Sequence, residues 1–190
     1  MPIFHCQIKP VSRGKGKSCV GAAAYRACEK LIDDRTGIRH DYTSKRGLVD
    51  AYILTPDKTP ISRQQLWDKA EAAEVRKDAR TAREYEVALP HELPEHVAIE
   101  CAHRFASGLV QRYGCAADIA IHSHGAGDKR NLHAHILTTT RRFEHGQLTE
   151  KTHAELSDKK LRSLGIAPGE EQVTKLRAAW AAIVNDACRG

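Results

Sequence analysis

Aromatic residues are scarce in this 190-residue chain: they make up 5% of it, with only three Phe and two Trp, and there is a single Met. So few large flat side chains argue against a sandwich of sheets and for closely packed, alanine-rich helices beside some sheet. No apolar run approaches the ~20 residues a membrane span requires. The start, Met1-Pro2-Ile3-Phe4-His5, has no charged stretch leading into an apolar one, so it does not read as a secretory signal. None of the six cysteines forms a C-x-x-C pair or a zinc-finger spacing. With nothing pointing to export, they read as reduced, mostly buried thiols, and the expected location is cytoplasmic. Acid is also missing locally. Residues 1–28 carry Lys9, Arg13, Lys15, Lys17 and Arg26 and no Asp or Glu, whereas the whole chain nets +6. Arg130, Arg141 and Arg142 form a second basic group. Either group is a solvated face or the footprint of a phosphate-bearing partner.

The length suits one domain with its own core. Residues 3–9 alternate as a half-buried strand, and residues 10–17 form a Gly-rich basic loop. Ser18 is an N-cap for an Ala-rich helix over 19–32. Strands are expected over 49–54, 83–89, 117–122 and 133–139, and helices over 60–81, 94–113 and 173–187. The strands at 117–122 and 133–139 form a hairpin, and residues 141–172, polar and weakly periodic, are expected to be irregular. The fold class is therefore α+β with an antiparallel sheet.

Eleven histidines are present, and three are placed with a pattern. His133 and His135 sit two apart on one predicted strand, and His122 ends its hairpin partner. Alternation points all three to one face. An H-x-H pair alone is equally a polar rim on a solvent-facing strand. Three imidazoles hold a divalent metal and leave positions open for a substrate oxygen. His124 falls in the turn and competes with His122. Several phosphate chemistries are excluded by position. A Walker A loop over 12–18 needs Gly where Val11 stands, and an H-x-H-x-H hydrolase needs His where Leu137 stands. H-E-x-x-H, the zinc-deaminase signature and a G-x-S-x-G elbow are absent. Of the five Tyr, Tyr52, Tyr85 and Tyr113 read as packing residues. Tyr25 follows Gly21-Ala22-Ala23-Ala24, small neighbours that let a large partner approach, and reads as a core aromatic or a nucleophile. Glu84 and Glu86 share a strand face, where they orient a histidine, accept a phenolic proton or simply meet water.

Together these segments resemble the MobA/MobL family of plasmid relaxases. The resemblance is carried by Ile3-Phe4-His5, Ala22-Ala23-Ala24-Tyr25-Arg26, His40-Asp41-Tyr42-Thr43, Lys45-Arg46-Gly47, Arg76-Lys77-Asp78-Ala79, Arg83-Glu84-Tyr85-Glu86-Val87-Ala88-Leu89-Pro90, Ile121-His122 and Asn131-Leu132-His133-Ala134-His135-Ile136-Leu137, in order over roughly residues 1–185. It implies the HUH endonuclease fold: a central antiparallel sheet with helices on one face and the metal site on the other. It implies one nickase domain over 1–190, compatible with excision from a longer protein that carries a helicase or primase portion. It also implies strand-specific nicking of single-stranded or supercoiled DNA at a transfer origin, reversible by religation, with accessory and coupling proteins as further partners. Tyr25 would be the nucleophile, His122, His133 and His135 the metal ligands, Glu84 the assisting or orienting acid, and Glu86 a second candidate. Mn or Mg suits a phosphate substrate, and Zn, Ni or Co also suits three imidazoles. The residues expected to contact phosphates are Arg13, Lys15, Lys17, Arg130, Arg141 and Arg142. The competing expectation is a metal-dependent single-strand nuclease that uses activated water.

Overall fold

The structure, a computed structural model, describes residues 5–123 and 132–189. Its centre is an antiparallel sheet built from β1 (Cys6–Ser12), β4 (Leu48–Leu54), β5 (Arg80–Ala88), β6 (Cys115–His122) and β7 (His133–Glu144) in the order β1-β5-β7-β6-β4. A sixth strand, β8 (Gln147–Lys151), pairs with the far end of β7. A separate hairpin joins β2 (Lys30–Asp33) to β3 (Ile38–Asp41). Among the described residues five α-helices accompany the sheets: α1 (Cys19–Ala27), α2 (Arg63–Ala72), α3 (Glu95–Tyr113), α4 (Asp158–Ser163) and α5 (Gly169–Arg189).

Alternation sorts the side chains onto two faces. Tyr85, Val87, Ile119, Ile121, Ala134 and Ile136 pack beneath the two long helices, against Phe105 and Leu109 of α3 and Trp180 and Val184 of α5. Phe105 meets Trp180 and Tyr85 edge to face, with ring centroids 5.5 and 6.5 Å away. The opposite face carries the histidines at one end. Its other part is covered by α1 and α2, whose Val20, Ala23, Ala24, Leu66 and Trp67 pack on Ala82, Leu137 and Phe143. The long helices thus lie on one face and the histidines on the other, as expected, with two short helices sharing the histidine face. All six cysteines are free thiols, four of them buried.

Two ionic anchors hold the short helices. Asp118, buried on β6, accepts from Arg63 Nε and Nη2 (2.8 and 2.9 Å) and from Trp67 Nε1 (2.8 Å), which fixes α2. Glu71 of α2, also buried, accepts from Arg13 Nε (2.9 Å), Arg35 Nε (3.2 Å) and the Cys19 N–H (2.9 Å), which docks the start of α1.

The differences from expectation have local causes. The helix expected over 19–32 stops at Ala27, because Cys28 adopts a left-handed conformation at φ 54°. Residues 30–33 instead enter the β2–β3 hairpin. There the Asp33 Oδ1 accepts from the N–H groups of Arg35 (3.0 Å) and Thr36 (3.2 Å), and Gly37 turns at φ 71°. Asp-Asp-Arg-Thr-Gly was a turn signal inside an apparently helical run. β1 extends through Pro10 to Ser12, which an edge strand tolerates because one side of it needs no ladder donors. α2 ends at Ala72 rather than near residue 81, since the polar run from Glu74 gives it no further face to bury, and Val75 is exposed. Residues 141–172 are not irregular throughout. They complete β7 and form β8 and α4, with Phe143 and Leu161 buried as isolated anchors too far apart to show as periodicity.

Burial raises the Glu71 carboxyl, but the Cys19 N–H and Arg13 outweigh it and hold the group below its ordinary value. A depressed carboxyl stabilises the fold fully above the unfolded value of about 4.3, and that contribution is lost as pH falls through the folded value. Glu71→Gln is therefore expected to flatten the acid limb of a Tm-versus-pH curve. Glu71→Ala, which strands the buried Arg13, should cost about 3–5 kcal/mol in urea unfolding at neutral pH. An unchanged acid limb would show that Glu71 does not carry this linkage.

Candidate active site

The hairpin of β6 and β7 brings the three histidines together. Its register pairs His122 with His133 and Ala120 with His135, so the three side chains share a face. Their ring centroids lie 5.8 Å (122–133), 5.6 Å (122–135) and 4.9 Å (133–135) apart. On the next strand, Glu84 and Glu86 face the same way, with Glu86 paired to His135.

Each of two imidazoles has one nitrogen committed. His122 Nε2 lies 2.6 Å from the Arg26 carbonyl, which can only accept, so Nε2 carries the hydrogen and Nδ1 is left over. His135 Nδ1 lies 2.8 Å from Glu84 Oε1. Burial raises the Glu84 carboxyl, but hydrogen bonds from His135 and Arg26, with the charges of Arg26 and Lys9, hold it far below the usual range. Glu84 is therefore an acceptor, His135 Nδ1 donates, and Nε2 is left over. Burial also lowers His122 to about 4, against the Arg26 hydrogen bond and with help from Lys45 and the other two histidines. It is neutral at pH 7, the form a ligand requires.

This donor set suits a divalent ion, with a carboxylate and a carbonyl orienting the imidazoles from behind. A second set overlaps it: Glu84, Glu86 and His135 bring one ligand atom each within 4.8 Å. That set is already charge-balanced. Lys9 Nζ stands 3.1 Å from Glu86 Oε2 and 3.5 Å from Glu84 Oε2, and Arg26 Nε lies 2.6 Å from Glu84 Oε1. The carboxylates thus fit orientation better than ligation.

Tyr25 comes from α1. Ser18 caps the helix, and Val20, Ala23, Ala24 and Ala27 bury its inner side. Tyr25 points outward and is 47% exposed, which excludes the core-aromatic reading. Its ring meets the edge of Tyr42 at 5.1 Å. Lys45 Nζ lies 3.8 Å from the Tyr25 ring centroid and donates to the Tyr25 carbonyl at 3.1 Å. The loop carrying Lys45 closes onto the end of β6, where Ser123 N–H donates to the Gly47 carbonyl at 2.8 Å. Gly47 has φ 93°, and a Cβ there would stand 2.5 Å from the Ser123 carbonyl oxygen, so only glycine permits this approach. Arg26, next to Tyr25, is bonded through its carbonyl to His122 and through its guanidinium to Glu84. The end of α1 that carries Tyr25 is thereby tied to the histidine strands.

The basic residues divide. Lys15 and Lys17 are not buried, and Lys17 borders the Tyr25 region. Arg13 is spent on Glu71 and on the carbonyls of Glu74 and Arg76. Arg141 binds Glu74 and the Thr149 carbonyl, and Arg142 pairs with Glu144. Both stand at the end of β7 away from His133, eight residues or about 26 Å along the strand. The structure therefore does not gather Arg13, Arg141 and Arg142 at the site. Arg130 and His124 lie outside the described residues. Lys45 and Arg26 were not singled out for the site by sequence. Lys45 is marked only by its place in Lys45-Arg46-Gly47, and Arg26 by its place beside Tyr25 in the acid-free basic run.

One region of the fold thus carries three imidazoles on a shared sheet face, two carboxylates on the next strand and, on the adjoining helix, an exposed tyrosine. The model of the MobA/MobL family matches residues 17–189, and the chain belongs to that family. It is 41% identical over 135 residues to mobilization protein MobL of Acidithiobacillus ferridurans, covering 71% of this chain and 36% of that protein. It is 34% identical over 154 residues to conjugal transfer protein TraA of Agrobacterium fabrum, covering 74% of this chain and 14% of that protein. The chain thus spans about a third or less of these relatives. It is also similar to a solved structure described as the molecular basis of vancomycin resistance transfer in Staphylococcus aureus. The TM-score is 0.80 at 26% identity, over 97% of this chain and 92% of the other.

Glu84→Ala is expected to weaken Mn²⁺ binding by roughly 10–100-fold in isothermal titration calorimetry, because His135 loses the group that fixes its tautomer. Glu86→Ala should change it far less. Equal losses in the two variants would assign both carboxylates to the ion.

Proposed function

We propose that this chain is a relaxase domain that nicks one DNA strand at a plasmid transfer origin through a 5′-phosphotyrosyl link to Tyr25. The observation that carries the reading is the double attachment of Arg26, which joins the tyrosine-bearing end of α1 to His122 and to Glu84, the partner of His135. A phosphodiester is anionic and repels nucleophiles. His122, His133 and His135 would hold a divalent ion, whose positive charge would offset the phosphodiester oxygens and polarise phosphorus.

The remaining work falls to this chain's own groups. A free phenol has a pKa near 10, so about one part in a thousand is phenolate at pH 7, equivalent to ~4 kcal/mol of barrier. Lys45 places positive charge 3.8 Å from the Tyr25 ring centroid. Tyr42 and Lys45 also fix the ring's position, which reduces the entropy of reaching an in-line approach. In the step itself, the Tyr25 oxygen bonds to phosphorus and the bond from phosphorus to the 3′ oxygen breaks. The proton lost by the phenol is balanced by the one the 3′ oxygen gains. The bond energy is kept in the phosphotyrosyl ester, so attack by the 3′-OH reverses the step and reseals the strand. Lys15 and Lys17 are the basic residues from the first cluster available to the backbone of a single strand.

The test is a supercoiled plasmid bearing the transfer origin, incubated with protein and Mn²⁺ and resolved on a denaturing gel. The wild type should leave protein covalently joined to the 5′ end. Tyr25→Phe should reduce both nick and adduct to background, and a chelator should do the same to the wild type. A nick with a free 5′ end that persists in Tyr25→Phe would instead assign the attack to water.

A further inference from the structure

A cavity of about 270 Å³ opens between α1 and the β2–β3 hairpin, beside Tyr25. Its walls include Lys9, Lys17, Tyr25, His40, Tyr42 and Glu84, so it adjoins the histidine cluster through Glu84.

Two features mark it as a receptor rather than a packing gap. The first is His40. Its Nε2 is buried and has no hydrogen-bond partner among the described residues. A buried polar atom left unpaired costs free energy unless a ligand satisfies it. The second is Gly21, on the α1 face turned to this cavity. A Cβ at Gly21 would lie 2.7 Å from His40 Cε1 and 3.0 Å from its Nδ1, so the absence of a side chain there is what lets the imidazole sit against the helix.

The lining then narrows the ligand class. Aromatic rings suit a flat apolar face, and an unpaired imidazole nitrogen suits a polar edge. Lys17 suits a flanking anionic backbone, whereas the Glu84 carboxylate disfavours a bare phosphate inside. A nucleobase splayed from a single strand has this combination of face, edge and attached charge.

We propose that this cavity receives one unstacked nucleobase adjacent to the phosphate attacked by Tyr25, with His40 Nε2 hydrogen-bonded to the base edge. The proposal rests on the reading of this chain as a DNA nickase and adds to it a position of sequence discrimination. Bases further along the strand are outside the reach of this cavity.

The experiment is selection from a randomised single-stranded DNA library with the full chain and Mn²⁺, followed by sequencing of the bound pool. The wild type should enrich preferred bases at several consecutive positions. His40→Ala should lose the preference at one of them and bind the wild-type consensus roughly 10-fold more weakly. Gly21→Ala, which displaces the imidazole while leaving it in the chain, should lose the preference at the same position. His40→Gln, which restores a hydrogen-bonding edge, should keep a preference there. Unchanged preferences in both alanine variants would overturn the proposal and leave the nickase reading intact. Loss spread evenly over all positions would overturn it too, since that marks a generally weakened protein. No enrichment by the wild type would overturn single-strand recognition and the pocket with it.

Discussion

The Glu84 carboxylate is the interaction on which the arrangement depends. It is buried on a central strand and meets three cationic or imidazole partners from three different elements: Arg26 from α1, His135 from β7 and Lys9 from β1. Burying one negative charge is costly unless its partners arrive together. Here they do, and each partner is thereby fixed in a place it would not otherwise hold. Arg26 fixes the phenol-bearing end of α1, and His135 is fixed in tautomer. Lys9 cancels the charge that would otherwise accumulate with Glu86.

The other end of α1 is secured by the same device on a different residue. Glu71 accepts the Cys19 N–H and holds Arg13 and Arg35. A nine-residue helix is marginal by itself. Anchored at both ends by buried carboxylates, with only small side chains between it and the sheet, it becomes a rigid mount for Tyr25. The basic character of the amino-terminal region therefore has two uses. Arg13 and Arg26 build the scaffold, and Lys15 and Lys17 remain outside it.

Much of the sheet was legible in the sequence, because alternation is a strong signal where one face is buried. The pattern over residues 83–89 separated Tyr85 and Val87 from Glu84 and Glu86 correctly, and the alternation of the paired strands put His122, His133 and His135 on one face. The β2–β3 hairpin was not legible. Leu31 and Ile32 continue an alanine-rich helical run without a break in hydrophobicity, and the change of direction rests on Cys28 in a left-handed conformation that a cysteine rarely adopts. The phosphate-contact set was only partly legible for a different reason. A formal charge is visible in sequence, but whether a buried carboxylate consumes it depends on contacts such as Arg13 with Glu71, 58 residues apart. Lys45 was hidden likewise, because its relation to Tyr25 comes from a loop closure secured at Gly47.

The pairing of β6 with β7 places His122 and His133 directly across from each other, with Ile121 and Ala134 as the next pair on the reverse side. In a sheet with period two, displacing either strand by a single residue would exchange the two sides. The imidazoles would then enter the oily layer around Phe105 and Trp180, and isoleucines would face water. A misaligned chain is thus penalised twice, in core and in chemistry, by the same slip. The register that gathers the histidines is thus the same one that closes the core.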